Sequence, residues 1–137
     1  METHYEFTDS QFEKQFNNCT LPAQFFTHEA HLRLAWIYID KYGLEQAIQL
    51  IDHQLLNFVD ALGSRDKYNK TVTIAAVKVV NHFKLLSKAR NFSDFIAENT
   101  QLGNNFKALI AQHYRTDIFN STLAKIEYLP PDLLPFD

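Results

Sequence analysis

Chain breakers are scarce in this sequence: three glycines and four prolines occur in 137 residues, and Pro130, Pro131 and Pro135 crowd together near the end. A chain so poor in turn formers builds long uninterrupted segments, and the period of its apolar residues decides whether these are helices or strands. Along the third such segment Leu44, Ala47, Ile48, Ile51, Leu55, Phe58, Val59 and Leu62 fall on one face at helical spacing. No stretch alternates apolar and polar residues, and no internal repeat is visible. The expected fold is all-α: a single-domain antiparallel helical bundle of about five to seven helices over residues 1–128, with a proline-rich C-terminal tail, 129–137, packed on it in extended form.

Local signals divide the bundle. Asp9 or Ser10 is expected to cap a first helix through about Asn17, and the segment from Cys19 to Phe26 connects it to a second. Thr27 opens that helix with its hydroxyl, and Gly43 suits the left-handed residue beyond its end. Gly63 ends the third helix. A fourth is expected from Thr71 to Ala89, apolar around most of its circumference and therefore central, with Lys78 and His82 marking its wet stripe. Asn91 or Ser93 caps a fifth, Gly103 with Asn104 and Asn105 after it suggests a break, and further helices are expected over Phe106 to Tyr114 and Asp117 to Tyr128. Leu133, Leu134 and Phe136 are expected to hold the tail against the body.

Charge and composition exclude several functions. Thirteen basic against sixteen acidic residues give a net charge of -3, and the basic residues are scattered, so the footprint of a nucleic-acid binder is missing. The single cysteine, Cys19, leaves neither an intramolecular disulfide nor a cysteine zinc site, which fits a reducing cytoplasm. No apolar run is long enough to span a bilayer, and the first residues lack the order of a signal peptide, so a cytoplasmic protein without a membrane partner is expected. Phosphate loops, dinucleotide fingerprints and calcium loops cannot be assembled from three scattered glycines. A homo-oligomer is compatible with all of this and is not specified by it.

The candidate chemistry lies in Thr27-His28-Glu29-Ala30-His31, two histidines three residues apart at the mouth of a helix. At about 100° per residue His28 lies among Leu32, Ala35, Ile39 and Tyr42 and is expected to point inward, while Glu29, Arg33 and Asp40 share a polar sector. A helix N-terminus disfavours imidazolium, which keeps ring nitrogens available as metal ligands or as a base. A divalent transition metal on His28 and His31 is the less favoured occupant, because zinc and iron need a third and fourth ligand. A polar segment, Lys67 to Thr73, precedes the fourth helix; Asn69 or Thr71 can cap it, and Thr73 can bond a carbonyl one turn earlier. Functionally, Tyr68, Asn69 and Thr73 are expected to project towards His28 and His31 and complete a polar pocket. His53 and His82 are read as solvated.

Three strings carry a resemblance. Phe26-Thr27-His28-Glu29-Ala30-His31-Leu32-Arg33-Leu34-Ala35-Trp36, then Lys67 to Thr73, then Ile126 to Pro135 resemble a group of small uncharacterised bacterial helical proteins. Their pattern is a Thr-His-x-x-His-Leu-x-x-Ala-Trp helix, a Lys-Tyr-His-x-Thr-x-Thr segment and a Pro-Asp-Leu tail. The resemblance implies a shared fold and a shared site. Asn69 stands where the group has a histidine, and Lys70 where an acidic residue often follows, so any metal role of the group is weakened here. Two functions follow: a small-molecule or degenerate metal-binding pocket of His28, His31, Tyr68, Asn69 and Thr73, or a non-catalytic helical interaction module in which these residues are structural.

Overall fold

A computed structural model describes residues 3–136, and among them are eight α-helices, three short 3-10 turns and no strand. The described residues divide into two compact units, one ending at Tyr68 and the other beginning at Asn69.

In the first unit each helix start is fixed by its own side chains. Helix α1, Asp9–Asn17, is capped one residue earlier than the sequence suggests: Thr8 accepts from Gln11 N while Gln11 reaches back to Thr8 N, a reciprocal box that outcompetes a lone Asp9 or Ser10. Helix α2, His28–Tyr42, takes Thr27 as its cap, and Thr27 Oγ1 accepts from Ala30 N at 3.2 Å. Gly43, at φ 86°, turns the chain directly into α3, Leu44–Ala61. Helices α1 and α3 end alike, with a six-residue bond (Thr20 N to Gln15 O, 2.8 Å; Ser64 N to Val59 O, 2.8 Å) closing over a left-handed residue. In α3 that residue is Gly63; in α1 it is Cys19, at φ 62°, which carries a side chain where glycine is the unstrained choice.

Helices α2 and α3 form an antiparallel hairpin, and Tyr38 hydrogen-bonds Gln54 across it. Helix α1 runs parallel to α2, because Asp9 meets Arg33 at 2.9 Å and Glu13 meets Lys41 at 3.1 Å. On α3 the buried residues Ala47, Ile51, Leu55 and Phe58 follow the expected stripe; Leu62, just past the helix end, is exposed. Helix α2 departs from expectation. From Leu32 to Ile39 it is buried all round, and Arg33, placed by its spacing in the polar sector with Glu29 and Asp40, is only 5% exposed. Its guanidinium donates to His4 O at 2.6 Å, Phe7 O at 2.8 Å and Asp9 Oδ1, which compensates the burial of the charge.

The second unit opens with α4, Lys70–Leu86, which buries Thr71, Thr73, Ile74 to Val77, Val79 and Val80. It stops three residues short of Ala89 and leaves Leu85 and Leu86 exposed. Helices α5 (Phe92–Glu98, capped by Asn91), α6 (Gln101–Asn104), α7 (Phe106–Ala111) and α8 (Thr122–Ile126) are short. Of the three residues expected to interrupt the chain, Gly103 and Asn104 lie inside α6 and the break falls at the last, Asn105. The expected helix from Asp117 to Tyr128 shrinks to α8 for a local reason. Asp117 accepts from Phe119 N at 3.0 Å and from Asn120 Nδ2 at 2.7 Å, bonds that compete with helical ones, and Ser121 then caps a fresh start.

The tail is docked chiefly through its backbone. Leu129 N donates to Thr71 Oγ1 at 3.1 Å, Leu133 N to His113 O at 3.0 Å, and Phe136 is buried with its ring stacked 4.2 Å from that of His113. Leu133 and Leu134, expected to supply the apolar contact, are 48% and 49% exposed: single hydrogen bonds to Leu133 N and Leu134 O hold this segment by its backbone and leave the side chains outside.

Candidate functional site

The two histidines of α2 have opposite fates. His28, the first helical residue, is exposed, which corrects the inward orientation expected from its spacing. The 100° rule ranks sectors by polarity, and on a helix buried from Leu32 to Ile39 the polar sector is not the wet one. His31, one turn later, is the inward ring. It lies 5.7 Å from the Phe26 ring, and Phe26 in turn meets Phe16 and Phe58, each at 5.2 Å, with Phe16 and Phe58 also 5.2 Å apart. The imidazole thus meets Phe26 at the edge of a cluster of three phenylalanines. Burial, reinforced by the nearby charge of His28, lowers the His31 pKa from 6.5 to about 4. The imidazole is neutral throughout the physiological range. Its Nε2 is fully buried and has no hydrogen-bond partner among the described residues.

The polar segment before α4 is engaged elsewhere. Tyr68, the last residue of the first unit, hydrogen-bonds Asp52 on α3. Asn69 is the cap of α4: Oδ1 accepts from Val72 N at 3.0 Å and Nδ2 donates to Ile118 O at 2.9 Å. Thr73 Oγ1 donates to Asn69 O at 2.7 Å, one turn back. Structural bonds thus use the polar ends of all three residues. Among the described residues no group of three or more His, Cys, Asp or Glu side chains is arranged to hold a metal ion.

Two placements escape sequence reasoning. His4 is buried, donates from Nε2 to Glu29 at 2.8 Å, and accepts at Nδ1 from Arg33 at 3.3 Å, an arrangement that fixes the neutral tautomer. Burial outweighs the Glu29 bond and holds its pKa below the usual value. The signal was Arg33 itself, the one charge in the run Leu32 to Ile39, which a buried helix accommodates only with partners. His113 stacks on Phe136 and donates from Nδ1 to Leu134 O at 2.7 Å, so it anchors the tail. His53 is exposed, as expected, whereas His82 is half-buried against the expectation of a solvated ring. No helix among the described residues is long and apolar enough to cross a membrane. No family model, curated protein or solved structure matches the chain.

Proposed function

We propose that the protein binds a small molecule at the start of α2, with the neutral imidazole of His31 as the hydrogen-bonding group and Phe26, backed by Phe16 and Phe58, as the aromatic wall. One observation carries this: the buried His31 Nε2 has no hydrogen-bond partner among the described residues. An unmade buried hydrogen bond costs roughly 1–3 kcal/mol, and buried polar atoms are so regularly satisfied that an orphan calls for an occupant. The ligand that fits the chemistry is compact and planar, with one polar atom to complement Nε2. A metal fits less well, since His28 and His31 offer only two nitrogens.

Phenol is a suitable probe, having one hydroxyl on a flat apolar ring. Titrated into nitrogen-15-labelled protein, it should shift the His31 Nε2 resonance saturably, and His31→Phe, which keeps a ring in place, should abolish binding. No saturable shift, or equal binding by His31→Phe, would overturn the proposal. The rival reading, an interaction module, draws on Tyr68, Asn69 and Thr73, whose polar groups all make structural bonds; it becomes the better one if phenol fails. The proposal extends to membership of the bacterial group with the Thr-His-x-x-His-Leu-x-x-Ala-Trp helix, supported by the string Thr27 to Trp36, and to a cytoplasmic location, supported by the lone Cys19.

A further inference from the structure

In the second unit the chain leaving α7 folds back over it and encloses an open cleft of about 410 Å³. Its floor is apolar, formed by Ile110, Tyr114 and Ile118, all buried. Its rim carries Lys107 and Arg115, both exposed, with Lys107 Nζ 5.4 Å from the ring centroid of Phe119. Among the described residues neither cation forms a salt bridge. The acid of the rim, Asp117, has both oxygens engaged, by Phe119 N and by Asn120 Nδ2, and the Asn120 bond holds its carboxyl below the usual range. Asp117, whose carboxyl pKa is lowered further by the charge of Lys107, therefore shapes the wall. The two cations stand at the rim above an apolar floor with no salt bridge among the described residues. Burial raises the pKa of Tyr114 and keeps its hydroxyl protonated.

We propose that this cleft binds a small organic anion, a carboxylate or phosphate ester with a planar apolar body, whose ring lies against Ile110, Ile118 and Phe119 and whose anionic group meets Lys107 and Arg115. The volume falls within the range of small-molecule sites, about 300–1,000 Å³. A bidentate guanidinium contact is the strongest recognition the rim offers. Nothing in the sequence flagged it, because Lys107 and Arg115 are eight positions apart in a segment without a motif.

Benzoate, phenyl phosphate and neutral benzyl alcohol, each titrated against the full chain and followed by amide shifts, test this. Benzoate or phenyl phosphate should perturb residues 107 and 114–120 saturably, and the tighter of the two identifies the anion class. Benzyl alcohol should bind about tenfold more weakly, the difference one charge-assisted contact makes. Lys107→Gln with Arg115→Gln should weaken anion binding by about tenfold or more, and added salt should weaken it in the wild type. Lys88→Gln with Lys125→Gln, which removes the same charge from exposed sites elsewhere, should leave it unchanged. Equal affinity for benzyl alcohol, shifts lying outside these residues, or no saturable shift would overturn the proposal.

Discussion

The starts of α2 and α4 are built from the same parts and finish differently. Each has a polar cap, Thr27 or Asn69, accepting from a backbone amide three residues on, and each carries polar side chains in its first turn. At α4 those side chains are satisfied: Asn69 bonds at both ends, Thr71 donates to Glu127 O at 2.7 Å and accepts from Leu129 N, and Thr73 bonds Asn69 O. At α2 the inward His31 nitrogen is buried without a hydrogen-bond partner among the described residues. Satisfied polar groups hold a fold together, while an unsatisfied one lowers its stability and points to a ligand. Four measurements can break that contrast.

The largest effect is expected from pH. The folded-state pKa of His31, about 4, lies below the unfolded value of 6.5. The folded protein therefore binds fewer protons, and the stability His31 contributes is full above pH 6.5 and is lost as pH falls towards 4. A shift of this size corresponds to roughly 2–4 kcal/mol. In urea melts the stability difference between wild type and His31→Phe should move by that amount between pH 7 and pH 4, in favour of the variant on the acid side. His4, whose pKa is also lowered, contributes in the same direction and is retained in both proteins. A difference that stays constant with pH would show that His31 is wet.

Thr71→Val comes next. The side chain is fully buried and nearly isosteric with valine, so the change removes one hydroxyl and leaves Glu127 O and Leu129 N without it. A loss of about 2 kcal/mol is expected in denaturant melts, together with faster amide exchange at Leu129. A neutral outcome would mean that α4 does not hold the tail. Asn69→Ala should cost about 1 kcal/mol through the lost cap, and Asn69→Ser, which can still accept from Val72 N, should recover part of it. Equal losses in the two variants would shift the weight to the Ile118 bond.

Much of this was legible because capping is a local code. Thr27, Gly43 and Asn91 sit where side-chain chemistry alone puts them, and the α3 stripe survives because that helix has one wet face. Facing failed on α2, where burial on all sides leaves polarity no surface to mark. The segment after α7 failed for the opposite reason: Asp117 and Asn120 bond to each other and to the backbone, and no apolar period records that. The candidate site was legible by halves, with His31 in place and His28 turned out to solvent.

The smallest effect should separate those two histidines. By spacing alone His28 would lie inward among Leu32, Ala35 and Ile39, and its removal would cost as much as a core truncation; in the structure it is exposed at the first helical position. His28→Ala should therefore change stability by no more than about 0.5 kcal/mol at pH 7, the same as His53→Ala on the exposed face of α3. It should still be felt at His31, because the charge of His28 contributes to lowering that pKa. Imidazole titrations followed by NMR should show the His31 midpoint rise in His28→Ala and stay put in His53→Ala. A loss above about 1 kcal/mol in His28→Ala would return the ring to the interior and undo the contrast between the two helix starts. An unmoved His31 midpoint would instead leave burial as the sole cause of its neutrality, and with it a more isolated imidazole for a ligand to find.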